Sequence, residues 1–382
     1  MAKKTKQNKI EIVETKDNLT QTPQTEEMKS SSEVFVVETD GTVKEEQSKE
    51  SGALVPVNEE QQTKKKKKKK PLKKTSWKRR AFNLATTCVL GIVTGCVLGS
   101  WYYNTTLKPQ VDYPTDEVIA TLQDDIDDVL ASALGRTLSD SEKENWVDIA
   151  KSQGLTPADL TASQNAQLAL FNITFADSYS AIGHGKCATI ATQTVYGEIT
   201  FDGQTYSATQ ISLGTFAKIA VRSQMDKDNQ GLITQVRGSN ITETSADWTG
   251  TPQSYTQADF IAMAGGLPST VHPYIITSKT ILDEQSVVVN QISGENGETL
   301  YSFTVNLDPI NSVALYVRQM KMVSQLGSYP EFSDVQNTFI IDENWNLVQI
   351  DVLEHYTQIA MGVKASCEGT LSTLFEINGK ME

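Results

Sequence analysis

The sequence predicts an α+β protein tied to a membrane. Its expected parts are a disordered N-terminal tail, one transmembrane helix, further helices, and a curved antiparallel sheet with one packed helix. Three observations predict this. Residues 81–103 hold no Asp, Glu, Lys, Arg, His or Pro and follow a densely basic run. Residues 104–185 carry apolar side chains at helical spacing. From 186 onward the apolar period falls to two, with turn residues between the runs.

Residues 1–63 are rich in Lys, Glu, Gln, Thr and Ser, and their clearest apolar stretch is Val34-Phe35-Val36-Val37. Four apolar residues bury too little surface to offset chain entropy, so a disordered tail is expected. Residues 64–80 hold twelve Lys or Arg and no acid. As a helix, residues 81–103 would reach about 34 Å, enough for a hydrocarbon core of about 30 Å. Trp77 precedes the run and Trp101, Tyr102 and Tyr103 end it, as aromatics do at a bilayer interface.

Basic residues beside a span stay in the cytoplasm, which places the tail inside and residues 104–382 outside. The charge balance agrees: 104–382 carry 14 basic and 34 acidic residues in a chain of net charge −13. The expected location is therefore the cell membrane, with the lysines on anionic lipid headgroups at ~1 kcal/mol each. Gly91, Gly95 and Gly99 repeat every four residues, a spacing that permits helix–helix association within the membrane.

Residues 104–185 read as a helical membrane-proximal region. Val118, Leu122, Ile126, Val129, Leu130 and Ala133 share one face, and Gly135 can end that helix. A second helix is expected from Asp140 to Ser152, and a third opens with Thr156 as cap and Pro157 behind it.

Residues 186–382 read as the sheet domain. Tyr301, Phe303 and Val305 alternate with polar residues, and IAMGVKASC alternates through Ile359, Met361, Val363, Ala365 and Cys367. Turns are expected at Asp202-Gly203, Asp228-Asn229, Glu295-Asn296-Gly297 and Asp342-Glu343-Asn344. One helix, 309–326, interrupts the strands, with Asp308 as cap, Pro309 first and Gly327 beyond its end.

That helix, then NTFIIDENWNLVQIDVLEHY, then YTQIAMGVKASCEGTLSTLFEI, resembles the end of bacterial lipoprotein-carrier half-barrels of the LolA/LppX type. The resemblance is one of pattern over roughly the last 200 residues, without a signature motif. It implies a concave sheet face that holds acyl chains. On that implication Tyr301, Phe303, Val305, Ile359, Met361 and Val363 are candidate ligand-lining residues. The competing reading makes the same side chains ordinary core beneath the helix.

Candidate chemistry is sparse. Cys187 and Cys367 are the only cysteines after the span, and they form either a disulfide or two buried thiols. DKDNQG, Asp226 to Gly231, opens like a calcium loop but places Arg237 where a bidentate Glu is needed, so a hairpin turn is the better reading. His184, His272 and His355 lack metal-ligand spacing, and no nucleophile elbow, phosphate loop or dinucleotide fingerprint appears. No metal, cofactor or catalytic residue is expected, and the acidic exterior argues against nucleic acid. The expectation is a non-enzymatic extracytoplasmic binding protein for an apolar or lipid-like ligand. The alternative is a structural or sensory cell-surface protein with no small ligand.

Overall fold

The computed structural model describes residues 98–100, 102–103 and 111–378, except 190–191, 215–217, 229–230, 325, 327 and 361–362. All of them belong to the unit Leu90–Glu382. The expected tail 1–63, the basic run 64–80, most of the span 81–103, and Gly91 and Gly95 lie outside the described residues. Residues 98–100, Gly99 included, and Tyr102 are helical. Among the described residues no helix is long and apolar enough to cross a membrane.

Helices come first. They are α1 (Asp116–Leu122), α2 (Ile126–Leu134), α3 (Asp140–Lys143), α4 (Trp146–Ser152) and α5 (Ala162–Asn172). The stretch expected as one helix from Val118 to Ala133 breaks before Ile126. Asp125 is extended there, and its side chain accepts from the Asp127 N–H at 2.9 Å, starting a new helix. Ile119 is buried while Val118 is 45% exposed, so the first turn does not share the face expected of it. Gly135, at φ 71°, closes α2 as predicted. The stretch Asp140 to Ser152 also divides in two, into α3 and α4. Thr156 does form a capping box with Asp159, but only one 3-10 turn follows. A second box, Thr161 with Gln164, begins the long helix α5.

The strands are β1 (Ser178–Ala188), β2 (Thr192–Phe201), β3 (Thr205–Leu213), β4 (Lys218–Asp226), β5 (Ile233–Arg237) and β6 (Gln253–Tyr255). After helix α6 (Gln257–Ala264) come β7 (Ile281–Leu282), β8 (Asn290–Ser293) and β9 (Thr299–Leu307). Helix α7 (Tyr316–Ser324) leads into β10 (Glu331–Asp342), β11 (Leu347–Ala360) and β12 (Val363–Asn378). They form one open antiparallel sheet in the order β6-β5-β4-β3-β2-β1-β12-β11-β10-β9-β7, with β8 also on β9. The first and last strands meet in its middle, from Ser178 opposite Asn378 to Ala188 opposite Glu368.

Three boundaries differ from expectation. The sheet opens at Ser178, not 186. IAMGVKASC is not one strand: β11 ends at Ala360, which pairs with Val363 at the start of β12. The period-two count ran across a hairpin connection marked only by Gly362. The helix expected at 309–326 is regular only from Tyr316. Asp308 does cap the turns before it, accepting from the Ile310 and Asn311 N–H groups. The Ser312 carbonyl, however, accepts from the Ile275 N–H at 2.8 Å, which diverts it from the helical ladder.

The main core lies between the helices and the β9–β11 end of the sheet. Trp146 of α4 packs on Trp345 of the β10–β11 turn at 5.1 Å, and Phe303 stacks on Phe339 at 5.3 Å. The Trp345 indole N–H donates to Asn165 Oδ1 at 2.8 Å, deep inside. The predicted Asp-centred turn is present, with Asp342 Oδ1 accepting from the Asn344 and Asn346 N–H groups.

Candidate functional site

On the same face, at the β1–β4 and β11–β12 part of the sheet, a cavity of ≈ 360 Å³ opens beneath α6 and α7. The local sequence makes the room. Side chains alternate along each strand, and the positions aimed inward include Ala181, Gly183, Gly197, Ala208 and Gly369. A Cβ placed on Gly197 meets nothing within 4 Å. The facing wall is mostly apolar, with Phe260 and Ala264 on α6, Leu267 and Val271 in the connection that follows, and Tyr316 and Met320 on α7.

One carboxyl group stands in this wall. Glu354 of β11 is 6% exposed and shares its face with Val352 and Tyr356. The Tyr274 O–H donates to its Oε2 at 2.5 Å and the Tyr316 O–H to its Oε1 at 3.3 Å. Across the ladder it faces Gly369, where a Cβ would lie 2.7 Å from Glu354 Cγ. The missing side chain is what admits the carboxyl. Burial raises Glu354 from 4.5 to about 7, against the lowering effect of the two tyrosines. Burial likewise pushes Tyr274 and Tyr316 well above their ordinary value, so both stay protonated donors. None of the ion pairs among the described residues involves Glu354.

Nearby, the Cys187 Sγ lies 3.1 Å from the Tyr356 hydroxyl. Cys187 faces Gly369, and Cys367 faces Tyr356, so the structure brings the two cysteines together on this face as buried free thiols. The neighbouring Cys367 thiol favours a Cys187 thiolate and draws Cys187 from 9.0 down to about 7. The same contact, with burial, pushes Cys367 up. His272 also borders the cavity. Burial lowers it to about 3, so it is a neutral ring, 2.9 Å from Asn337 Nδ2 through Nε2.

The described residues among those proposed from sequence as ligand-lining lie elsewhere. Tyr301, Phe303 and Val305 occupy β9 in the main core, and none of them borders the cavity. Ile359, opposite Lys364, falls on the other face from Tyr356 and also stays clear of it. Met361 and the side chain of Val363 lie outside the described residues. Among the described residues no three His, Cys, Asp or Glu side chains are placed to hold a metal. His184 lies exposed against Tyr196, and His355 lies between Asp334 and Glu368. On the helical side, Asp124 pairs with Lys279 and Asp127 with Lys143.

Sequence reasoning missed Glu354, Tyr274, Tyr316 and Gly369. One signal was available. In DVLEHY a carboxylate takes the inward place between Val352 and Tyr356, where the strand pattern calls for an apolar residue.

No protein-family model matches the chain, and no curated protein matches it either. Among solved structures, the 12:0-ACP thioesterase from Umbellularia californica aligns over 62% of this chain and 88% of that one. The identity is 9% and the TM-score 0.13, too low to indicate a shared fold.

Proposed function

We propose that this chain is a single-pass membrane protein whose extracytoplasmic domain binds an apolar, lipid-like ligand without catalysing a reaction. The observation that supports ligand binding is the mostly apolar cavity under α6 and α7, onto which Gly197 leaves open space. Its ≈ 360 Å³ falls within the usual range of ligand sites, about 300–1,000 Å³. Close packing is the rule in protein interiors, so an apolar space of this size is maintained at a cost in stability. The anchor and its orientation rest on the basic run 64–80 and the uncharged stretch 81–103. This reading takes the sheet as curved around the two helices, as the resemblance to lipoprotein carriers implies.

The test is native mass spectrometry of the full-length chain released from membranes, beside the variant Gly197→Phe. The benzyl group would occupy open space. Wild type should retain an apolar ligand at one copy per chain, and the variant should lose it while unfolding within a few degrees of wild type. A wild-type chain that carries no ligand and takes up none from added lipid would overturn the reading.

A further inference from the structure

The cavity's polar corner has an unbalanced set of hydrogen-bonding groups. Tyr274 and Tyr316, the two hydroxyls that reach Glu354, both donate to it, and the Tyr356 hydroxyl is engaged with Cys187. A carboxylate offers about four acceptor positions, of which the tyrosines fill two. Once Glu354 is ionised, above about pH 7, what remains available there is acceptor capacity and negative charge, not donors. Among the described residues no cation answers that charge. Lys186 and Glu198 border the cavity, but they stand at outward positions of β1 and β2, off the face that carries Glu354.

We propose that the head of the bound ligand is an ammonium group seated against Glu354, so that the cavity takes an aliphatic amine or amino alcohol in preference to a fatty acid. This rests on the reading of the cavity as an apolar ligand site. The groups facing Glu354 are Tyr356 from its own strand, Cys187 from β1, Gly369 and Cys367 from β12, Tyr274 and neutral His272 from the connection after α6, and Tyr316 from α7. None is a cation. An ammonium head would supply donors to the free lone pairs and a countercharge to the buried carboxylate. The chain would lie along the apolar wall of α6 and α7. A carboxylate head would face Glu354 with a like charge or with a proton taken up at its expense.

The test uses the full-length chain in phosphatidylcholine nanodiscs, with empty nanodiscs as reference. Octylamine, octanol and octanoate share one chain length and are titrated calorimetrically at about pH 8.5, above the value of about 7 to which burial raises Glu354. Octylamine should bind at least about tenfold more tightly than octanoate, a difference of one decade in Kd. Glu354→Gln should cost octylamine about tenfold and leave octanol within about twofold. The wild-type comparison needs no variant, so a misfolded Glu354→Gln does not block the answer. Octanoate binding as well as or better than octylamine, with octanol bound, would overturn the head-group assignment and leave the apolar site standing. Failure of all three probes would overturn both.

Discussion

Glu354 of β11 stands directly opposite Gly369 of β12, and its side chain occupies the space a Gly369 side chain would need. Gly369→Ala would put a Cβ 2.7 Å from both Glu354 Cγ and Oε1. Two tyrosines hold that carboxyl, so it cannot swing aside without losing a bond. The substitution should cost ~1–3 kcal/mol by overpacking. Adding Glu354→Ala should recover part of the loss. Strict additivity of the two in thermal unfolding would show that the pair is uncoupled.

The same carboxyl predicts a pH dependence. Its pKa is raised by burial from 4.5 to about 7, so between those values the folded chain holds a proton that the unfolded chain has released. The stability from this group is complete below about pH 4.5 and is lost as pH rises through about 7, on the order of 3 kcal/mol. Denaturant midpoints of wild type and Glu354→Gln should therefore diverge between pH 5 and 8, with wild type falling faster. Parallel curves would show that Glu354 is not carried protonated.

Asn165 and Trp345 give a prediction for the core. Asn165 accepts from the indole and donates to the carbonyls of Pro157 and Leu160. Trp345 sits in the left-handed region at φ 57°, an uncommon state for a bulky side chain, held by the Asp342 turn and by this bond. Asn165→Leu leaves a buried N–H and two carbonyls without that partner and should cost about 2–4 kcal/mol in equilibrium unfolding. A loss below about 0.5 kcal/mol would place the hold on the turn elsewhere.

The cysteine pair predicts an asymmetry of reactivity. The neighbouring Cys367 thiol favours a Cys187 thiolate and lowers Cys187 to about 7, so under reducing conditions Cys187 should be the first to be alkylated. Cys367→Ser keeps a donor at this place, whereas Cys367→Ala removes it and should move the Cys187 labelling midpoint back toward 9.0. Equal midpoints in all three proteins would mean that the contact does not control ionisation. Non-reducing peptide mapping of protein from an oxidising compartment would show whether the same pair closes a disulfide.

For topology, protease added outside intact cells should cut within residues 104–382 and spare residues 1–63. Digestion of the tail with protection of the domain would reverse the assigned orientation.

Much of the fold was legible because its signals are local. The cap at Asp308 and the turn at Asp342 to Asn344 each use a side chain acting on its immediate neighbours, and Gly135 after α2 ends the helix by its own left-handed backbone. The alternation of Tyr301, Phe303 and Val305 correctly gave a strand. It could not say which length of a twelve-stranded sheet is packed and which is hollow, because that depends on what covers the face. The hollow is walled by strands far apart in sequence: β2, with its open position at Gly197, and β11, with Glu354, share one wall only because β1 pairs with both β2 and β12. The helix break at Ser312 was likewise set by a distant hydrogen bond, from the Ile275 N–H, whereas that at Asp125 is a local cap.

The meeting of β1 and β12 at the centre of the sheet orders events in time. Strands β1 to β4 and β9 to β12 each pair with their sequence neighbours, so each half can zip as a local meander. The one seam that joins the halves waits for the most distant pairing in the sheet, and such non-local closure is the slow class of folding step. Glu354, Gly369 and Leu371 lie on one side of that seam, and Gly197, Ala208 and Val221 on the other. Until the seam closes, the cavity has two half-walls and no enclosure, so a ligand of the proposed kind would meet its complete site only late in folding or in the finished fold.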